Sequence, residues 1–138
     1  MIYEKFDLRD DAQKQACEAM AEKLLCFAGV ISCDNNDVQV TMDGCERALI
    51  VESEDVVEFA DAMTGIEKIM NEHGETLNGY SKIIFAVLGS DKIELDMGKI
   101  NQFRDWVAKE VNDESDIMWC CDVHADIDGP IVRVLACK

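Results

Sequence analysis

The first residues with the types and spacing to do chemistry lie in the stretch GVISCDNNDVQV, residues 29–40. Asp34 and Asp37 place two carboxylates three residues apart, and Asn35 and Asn36 lie between them. Two carboxylates can orient and polarise a water molecule where a phosphate and a metal ion are also present. Asp and Asn also favour turns, because their side chains hydrogen-bond to nearby backbone. The four residues therefore either present a pair of acids to another molecule or form a turn between two elements.

The other reactive side chains form no recognised catalytic arrangement. The sequence contains no glycine-rich nucleotide motif, no nucleophile-elbow motif and no HExxH metal motif. Cys120, Cys121 and His124 suggest zinc, but adjacent side chains on a strand point to opposite faces, so the two thiols do not easily share one ion. His73 falls at a predicted helix end, where the helix dipole favours a cation. We therefore expect no metal, no cofactor and no enzymatic activity from this chain by itself.

Length and composition favour one globular domain, and the charge excludes some classes of partner. The chain has 138 residues, 49% of them hydrophobic, and a formal charge of −16 from 29 acidic and 13 basic residues. Scattered basic residues argue against binding to nucleic acid or to an anionic membrane, and no apolar run approaches the ~20 residues of a membrane span. The seven cysteines are odd in number and irregularly spaced, which predicts a reduced, cytoplasmic protein. The negative charge fits either high solubility or a partner with a basic surface.

Hydrophobic periodicity predicts alternating helices and strands. The predicted helices cover residues 10–27, 54–72 and 95–111, and the predicted strands cover 82–88, 116–123 and 131–137. Asp10 and Asp11 are candidate N-caps of the first helix, and Gly29 is predicted to stop it. The last two strands are predicted to pair antiparallel, joined by the loop ADIDGP. This order of elements indicates an α/β layer structure.

Residues 38–51 are ambiguous. Val38, Val40 and Met42 alternate with polar residues, the turn signal Asp43-Gly44 follows, and a short apolar run comes next. By itself this pattern predicts a β-hairpin, and a helix followed by a strand is the alternative.

The order of elements resembles the C-terminal domain of FtsZ, in the tubulin superfamily. GYSKIIFAVLG (79–89) is similar to a strand of that domain, and DKIELDMGKINQFRDWV (91–107) is similar to the helix after it. DIMWCCDV (116–123) and IVRVLAC (131–137) are similar to its closing strands, although Cys120 stands where the family usually has glycine. Upstream, AGVISCDNNDV is similar to the loop after the family's central helix, and Asp34 and Asp37 match its two aspartates.

The resemblance implies a single domain over residues 1–138. A connecting helix would occupy 1–28, and 29–138 would form an α+β domain with an about four-stranded mixed sheet and helices packed on it. In the family, the loop aspartates reach the nucleotide of the next subunit in the filament and orient the attacking water. The residues Asp34, Asn35, Asn36 and Asp37 are therefore candidates for contact with a partner's nucleotide.

Three functions remain open from the sequence. Because the family's nucleotide-binding domain does not lie within these residues, the resemblance implies a non-catalytic module that binds or caps FtsZ-type filaments. The second function is a self-associating structural domain that uses its sheet edges. The third is a small enzyme or ligand-binding protein that has kept only the fold, with Asp34, Asp37 or the loop from Cys120 to His124 as its site.

Overall fold

The computed structural model describes residues 2–54, 56–92 and 95–138. Within these residues, strands, α-helices and one short 3₁₀ turn follow one another along the chain. They are β1 (Ile2–Asp7), α1 (Asp11–Leu25), α2 (Asn35–Met42), β2 (Arg47–Glu52), α3 (Phe59–Glu72), the 3₁₀ turn (Leu77–Gly79), β3 (Lys82–Leu88), α4 (Met97–Glu110), β4 (Asp116–Asp122) and β5 (Ile131–Cys137). No helix of the described segments is both long and apolar enough to cross a membrane.

The strands form one mixed sheet in the order β1-β2-β5-β3-β4. β5 lies antiparallel between β2 and β3, β1 lies antiparallel to β2, and β4 lies parallel to β3. The predicted pairing of the last two strands with each other is wrong, because β3 lies between them. β3 is continuously apolar and can therefore be flanked and covered on all sides. β1 was not predicted, so residues 1–28 contain an edge strand as well as the predicted helix.

Helices cover both faces of the sheet. On β3, the side chains of Ile83, Phe85 and Val87 pack with α3 and α4, whereas Ile84 and Ala86 pack with α1 and α2. This alternation follows from the strand geometry, in which successive side chains point to opposite faces. The prediction that residues 82–88 form a strand is therefore confirmed, and both faces of that strand are covered.

The first helix begins as predicted but ends early. The Asp10 side chain accepts hydrogen bonds from the backbone N–H of Ala12 and Gln13, so Asp10 is the N-cap. The helix ends at Leu25, and the prediction that Gly29 stops it is wrong. The Leu24 carbonyl instead accepts a hydrogen bond from Arg133 Nη1 at 2.9 Å, which satisfies an oxygen that the helix end leaves open.

Residues 38–51 form the end of α2 followed by β2, so the alternative of a helix and then a strand is correct and the hairpin is wrong. Val38, Thr41 and Met42 are buried at helical spacing, whereas the side chain of Val40 is 55% exposed. A helix of eight residues shows too few turns for its period to stand out from a strand-like alternation.

The helix α3 begins at Phe59, later than the predicted start at residue 54. Of the acidic residues before this helix, Glu52 lies in β2, and Asp55 lies outside the described residues. His73 is the C-cap of α3, as predicted, and its ring stacks on Tyr3 at a centroid distance of 3.9 Å. β1 therefore contacts the end of α3.

A pair of carboxylates lies where α3 meets α4. Burial raises the pKa of Glu110, and the negative charge of Glu67 raises it further. Trp106 Nε1 donates a hydrogen bond to the carboxylate of Glu67. Two acids held together in this way repel each other when both are ionised.

Removing one of these charges is expected to stabilise the protein. We expect Glu110→Gln to raise the free energy of unfolding by about 0.5 kcal/mol at pH 7, the size of a close like-charge pair. Because the folded-state pKa is raised, the wild type gains stability as pH falls through that pKa, so the difference shrinks at pH 5. Urea titrations at both pH values measure this. Glu72→Gln, at an exposed position of α3, is the control; an equal gain from it would contradict the prediction.

Candidate functional site

The connection between α1 and α2, residues 26–34, is called the α1–α2 loop below. Its middle is attached to β4, because Ile31 N–H donates to the Cys121 carbonyl at 3.3 Å and Cys121 N–H donates to the Ile31 carbonyl at 2.9 Å. Gly29 lies against the same carbonyl: a Cβ atom there would be 2.4 Å from the Cys121 oxygen. Gly29 therefore allows a close approach of two backbones rather than ending a helix.

Asp34 and Asp37 form the N-terminal cap of α2. The Asp34 carboxylate accepts a hydrogen bond from Asp37 N–H at 3.0 Å, and the Asp37 carboxylate accepts one from Asp34 N–H at 2.9 Å. This reciprocal pair is a capping box, which satisfies two backbone donors at the helix start. Both aspartates therefore hydrogen-bond to nearby backbone as the cap of a helix, and their contact with a partner stays a prediction.

The cap leaves acidic groups on the surface. Asp34, Asn35 and Asn36 are exposed and Asp37 is half-buried. Each carboxylate uses one oxygen in the capping box, through Asp34 Oδ1 and Asp37 Oδ2. The second oxygen of each accepts no hydrogen bond from the described residues. The start of α2 thus presents two rigidly oriented carboxylates that can still accept hydrogen bonds.

Thiols pack directly beneath this cap. Cys33 and Cys120 are both buried, and Cys120 Sγ donates to the Leu25 carbonyl at 3.6 Å. Burial raises the pKa of the Cys33 thiol, and the negative charges of Asp37 and Asp34 also raise it. Burial likewise raises the pKa of Cys120. These thiols are therefore protonated at neutral pH and act as small apolar side chains that support the loop.

The structure does not bring the suggested zinc ligands together. Cys120 is fully buried under α1, whereas His124 lies on an exposed loop with its Nδ1 2.6 Å from Asp91 Oδ1. No group of three such side chains in the described segments could hold a metal ion.

An apolar surface around β4 lies beside the loop, and sequence reasoning missed it. Six of the seven exposed large apolar side chains in the described residues border β4, and the seventh, Val57, does not. We call these six residues the β4 surface: Val30, Ile31, Val40, Met97, Ile117 and Met118. They come from separate segments of the chain, so only the folded structure brings them together.

The sequence matches no family model and no curated protein. Solved structures of FtsZ and TubZ proteins do match. An empty FtsZ dimer from M. jannaschii is 15% identical, with a TM-score of 0.58 over 93% of this chain and 38% of that one. A helical model of the TubZ-Bt four-stranded filament is 11% identical, with a TM-score of 0.65 over 94% of this chain and 34% of that one. The fold is FtsZ/TubZ-like.

A further structure, of the type III plasmid segregation protein TubZ, agrees with a TM-score of 0.60 at 12% identity, over 85% of this chain and 31% of that one. The chain thus spans between 31% and 38% of the lengths of these FtsZ and TubZ chains. The match confirms the predicted fold class, a mixed sheet with packed helices, and the observed sheet has five strands. It is consistent with the predicted likeness to the C-terminal domain of FtsZ.

Proposed function

We propose that the protein is a non-catalytic module that binds subunits of FtsZ- or TubZ-type filaments through the α1–α2 loop and the start of α2. The observation that carries the proposal is the fold shared with filament proteins over nearly the whole chain. The loop supports it, because Ile31 is hydrogen-bonded to β4 and Asp34 and Asp37 are fixed in a capping box. A rigid loop presents its charges to a partner with little loss of conformational freedom.

The charges suit a partner that supplies its own nucleotide. The sequence contains no glycine-rich phosphate-binding motif. The free oxygens of Asp34 and Asp37 would therefore act on a water molecule only where the partner provides phosphate and metal. Filament contacts of this kind are head-to-tail, so a protein with only one of the two complementary faces would end a filament. The net charge of −16 favours a basic face on the partner.

We place this module in the cytoplasm, where filament proteins assemble and thiols stay reduced. Each of the seven cysteines is a free thiol.

Addition of the protein to polymerising full-length FtsZ or TubZ with GTP tests the proposal. At equimolar protein we expect light scattering at steady state to fall at least twofold, because capped subunits cannot extend. Phosphate release, measured in the same samples, should change with it. An unchanged scattering signal and an unchanged rate of phosphate release with both partners would refute the proposal. Sedimentation of the protein alone tests the alternative of self-association, which a clean monomer at high concentration would rule out.

Two conservative variants separate charge from folding. Asp34→Asn and Asp37→Asn keep an acceptor oxygen for the capping box, so we expect stability within about 0.5 kcal/mol of wild type. Both variants remove a carboxylate, so we expect most of the effect on the filament to be lost. Asp11→Asn, at an exposed position in the first turn of α1, is the matched control and should act like wild type. Equal activity of all three variants would show that the loop is not the contact.

A further inference from the structure

β4 is an edge strand, and part of its outer edge is unpaired. Asp116 N–H donates to the Ser81 carbonyl at 2.8 Å, and Gly89 N–H donates to the Asp122 carbonyl at 2.7 Å, so these even-numbered positions bond toward the β3 side. Cys121 bonds the other way, to Ile31. Along a strand, the backbone N–H and C=O groups of successive residues point alternately to one edge and to the other.

The N–H and C=O groups of Ile117 and Trp119 therefore point away from β3, as those of Cys121 do. Among the described residues, only the single bridge from Ile31 occupies this edge, and it stops at Cys121. After Ile31 the chain turns inward to the buried Cys33. Ile117 and Trp119 thus present open hydrogen-bonding groups next to Cys121, whose backbone already pairs with Ile31.

Shallow apolar grooves flank this open edge on both faces of the sheet. On the α4 face, Ile117 and Trp119 line a groove of about 290 Å³ with Phe103 and Val107. On the α2 face, Met118 lines a groove of about 230 Å³ with residues that include Val40 and Lys82. Side chains of an added strand alternate between the two faces, so they would enter both grooves in turn.

We propose that β4 accepts an extended segment of a partner protein as an additional strand, and that this segment has an apolar centre and basic flanks. The apolar centre fits the grooves. The basic flanks fit the charge, because Asp116 and Asp122 lie at the two ends of β4 and the whole chain carries −16.

Two basic side chains lie near β4, but they do not argue against a segment with basic flanks. Lys82 Nζ already donates to the carbonyls of Val40 and Asp43, at 3.3 and 2.8 Å. The second nearby cation, Arg104, lines the groove on the α4 face. A second copy of this chain would bring another charge of −16 to the edge, which disfavours it as the occupant. Strand addition at β4 does not depend on the proposed filament-binding role.

A synthetic peptide tests this inference. The probe is a fluorescein-labelled peptide of five alternating valines and isoleucines between pairs of lysines, titrated with the protein and followed by fluorescence anisotropy. The same peptide with a central proline cannot pair along the edge, and one with glutamates in place of the lysines has the wrong charge. We expect each of these to bind at least tenfold more weakly than the probe. Equal binding of the proline peptide would overturn strand addition, and equal binding of the glutamate peptide would overturn the basic flanks.

Amide exchange shows where the peptide lies. Binding should slow hydrogen exchange at the N–H groups of Ile117 and Trp119, and no protection there would overturn the proposal. Protection that rises with protein concentration in the absence of peptide would identify a second copy as the occupant and also overturn it. Ile117→Lys should weaken binding at least tenfold with an unchanged circular dichroism spectrum. Val57→Lys, at an equally apolar but remote exposed site, should bind like wild type.

Discussion

Replacing Arg133 with alanine is expected to lower the free energy of unfolding by about 3 kcal/mol. Arg133 Nε lies 2.6 Å from Glu52 Oε2 on the neighbouring strand, and both side chains are only 19% exposed. Arg133 Nη1 also donates to the Leu24 carbonyl at 2.9 Å. The substitution leaves a mostly buried carboxylate without its cation and a carbonyl at the end of α1 without its donor. Loss of one partner of a buried ion pair costs more than the pair contributes.

A double variant distinguishes this cause from general damage to β5. Glu52→Met together with Arg133→Met removes both charges and fills similar volume, so we expect a loss of only about 1 kcal/mol, from the unpaired Leu24 carbonyl. Arg47→Ala, at the exposed first residue of β2, is the control and should change stability by less than about 0.5 kcal/mol. Urea unfolding measures all three. If Arg133→Ala costs no more stability than Arg47→Ala, neither the ion pair with Glu52 nor the hydrogen bond to the Leu24 carbonyl contributes the predicted stability.

Gly29→Ala is expected to lower the free energy of unfolding by about 2 kcal/mol, a usual cost of forcing extra atoms into a packed position. The added Cβ would lie 2.4 Å from the Cys121 carbonyl oxygen and 3.1 Å from the Phe27 ring, and a backbone oxygen cannot rotate aside as a side chain does. The loop must move away from β4, which breaks the bridge between Ile31 and Cys121. Faster hydrogen exchange at the amides of Ile31 and Cys121 should accompany the loss of stability.

Gly79 provides the matched control. A Cβ there would meet nothing nearer than Thr76 Oγ1, at 4.0 Å. Gly79→Ala should therefore leave stability within about 0.5 kcal/mol of wild type, and the reduced freedom of the unfolded chain favours a slight gain. Slow exchange at Ile31 in the Gly29→Ala protein would show that the loop tolerates the methyl group, contrary to the prediction.

Elements with a strong hydrophobic pattern could be predicted from the sequence. β3 and β5 have the predicted bounds, because nearly every residue in them is buried. β1 could not be predicted in the same way, since an edge strand half-open to solvent tolerates Glu4 and Lys5 and shows no clear alternation. The pairing of β5 with β2 and β3 depends on contacts between distant segments, which no local pattern contains.

The start of α2 and the β4 surface also differ in how far a local pattern in the sequence predicts them. Asp34 to Asp37 could be located in the sequence, because a capping box is a local pattern of four residues. The β4 surface could not, because Val30, Met97 and Ile117 are brought together only by the sheet order and by the position of α4. The distinct role of Gly29 likewise depends on a carbonyl that is far away in the sequence.

The central place of β5 in the sheet has a consequence for synthesis of the protein. Both β2 and β3 use β5 as a neighbour, although it follows the other four strands of the described residues. Until residues 131–137 leave the ribosome, β2 and β3 each keep an open apolar edge, and such edges are prone to aggregate. The nascent chain therefore completes its core in one late step, and a chaperone that shields β3 would protect it over that interval.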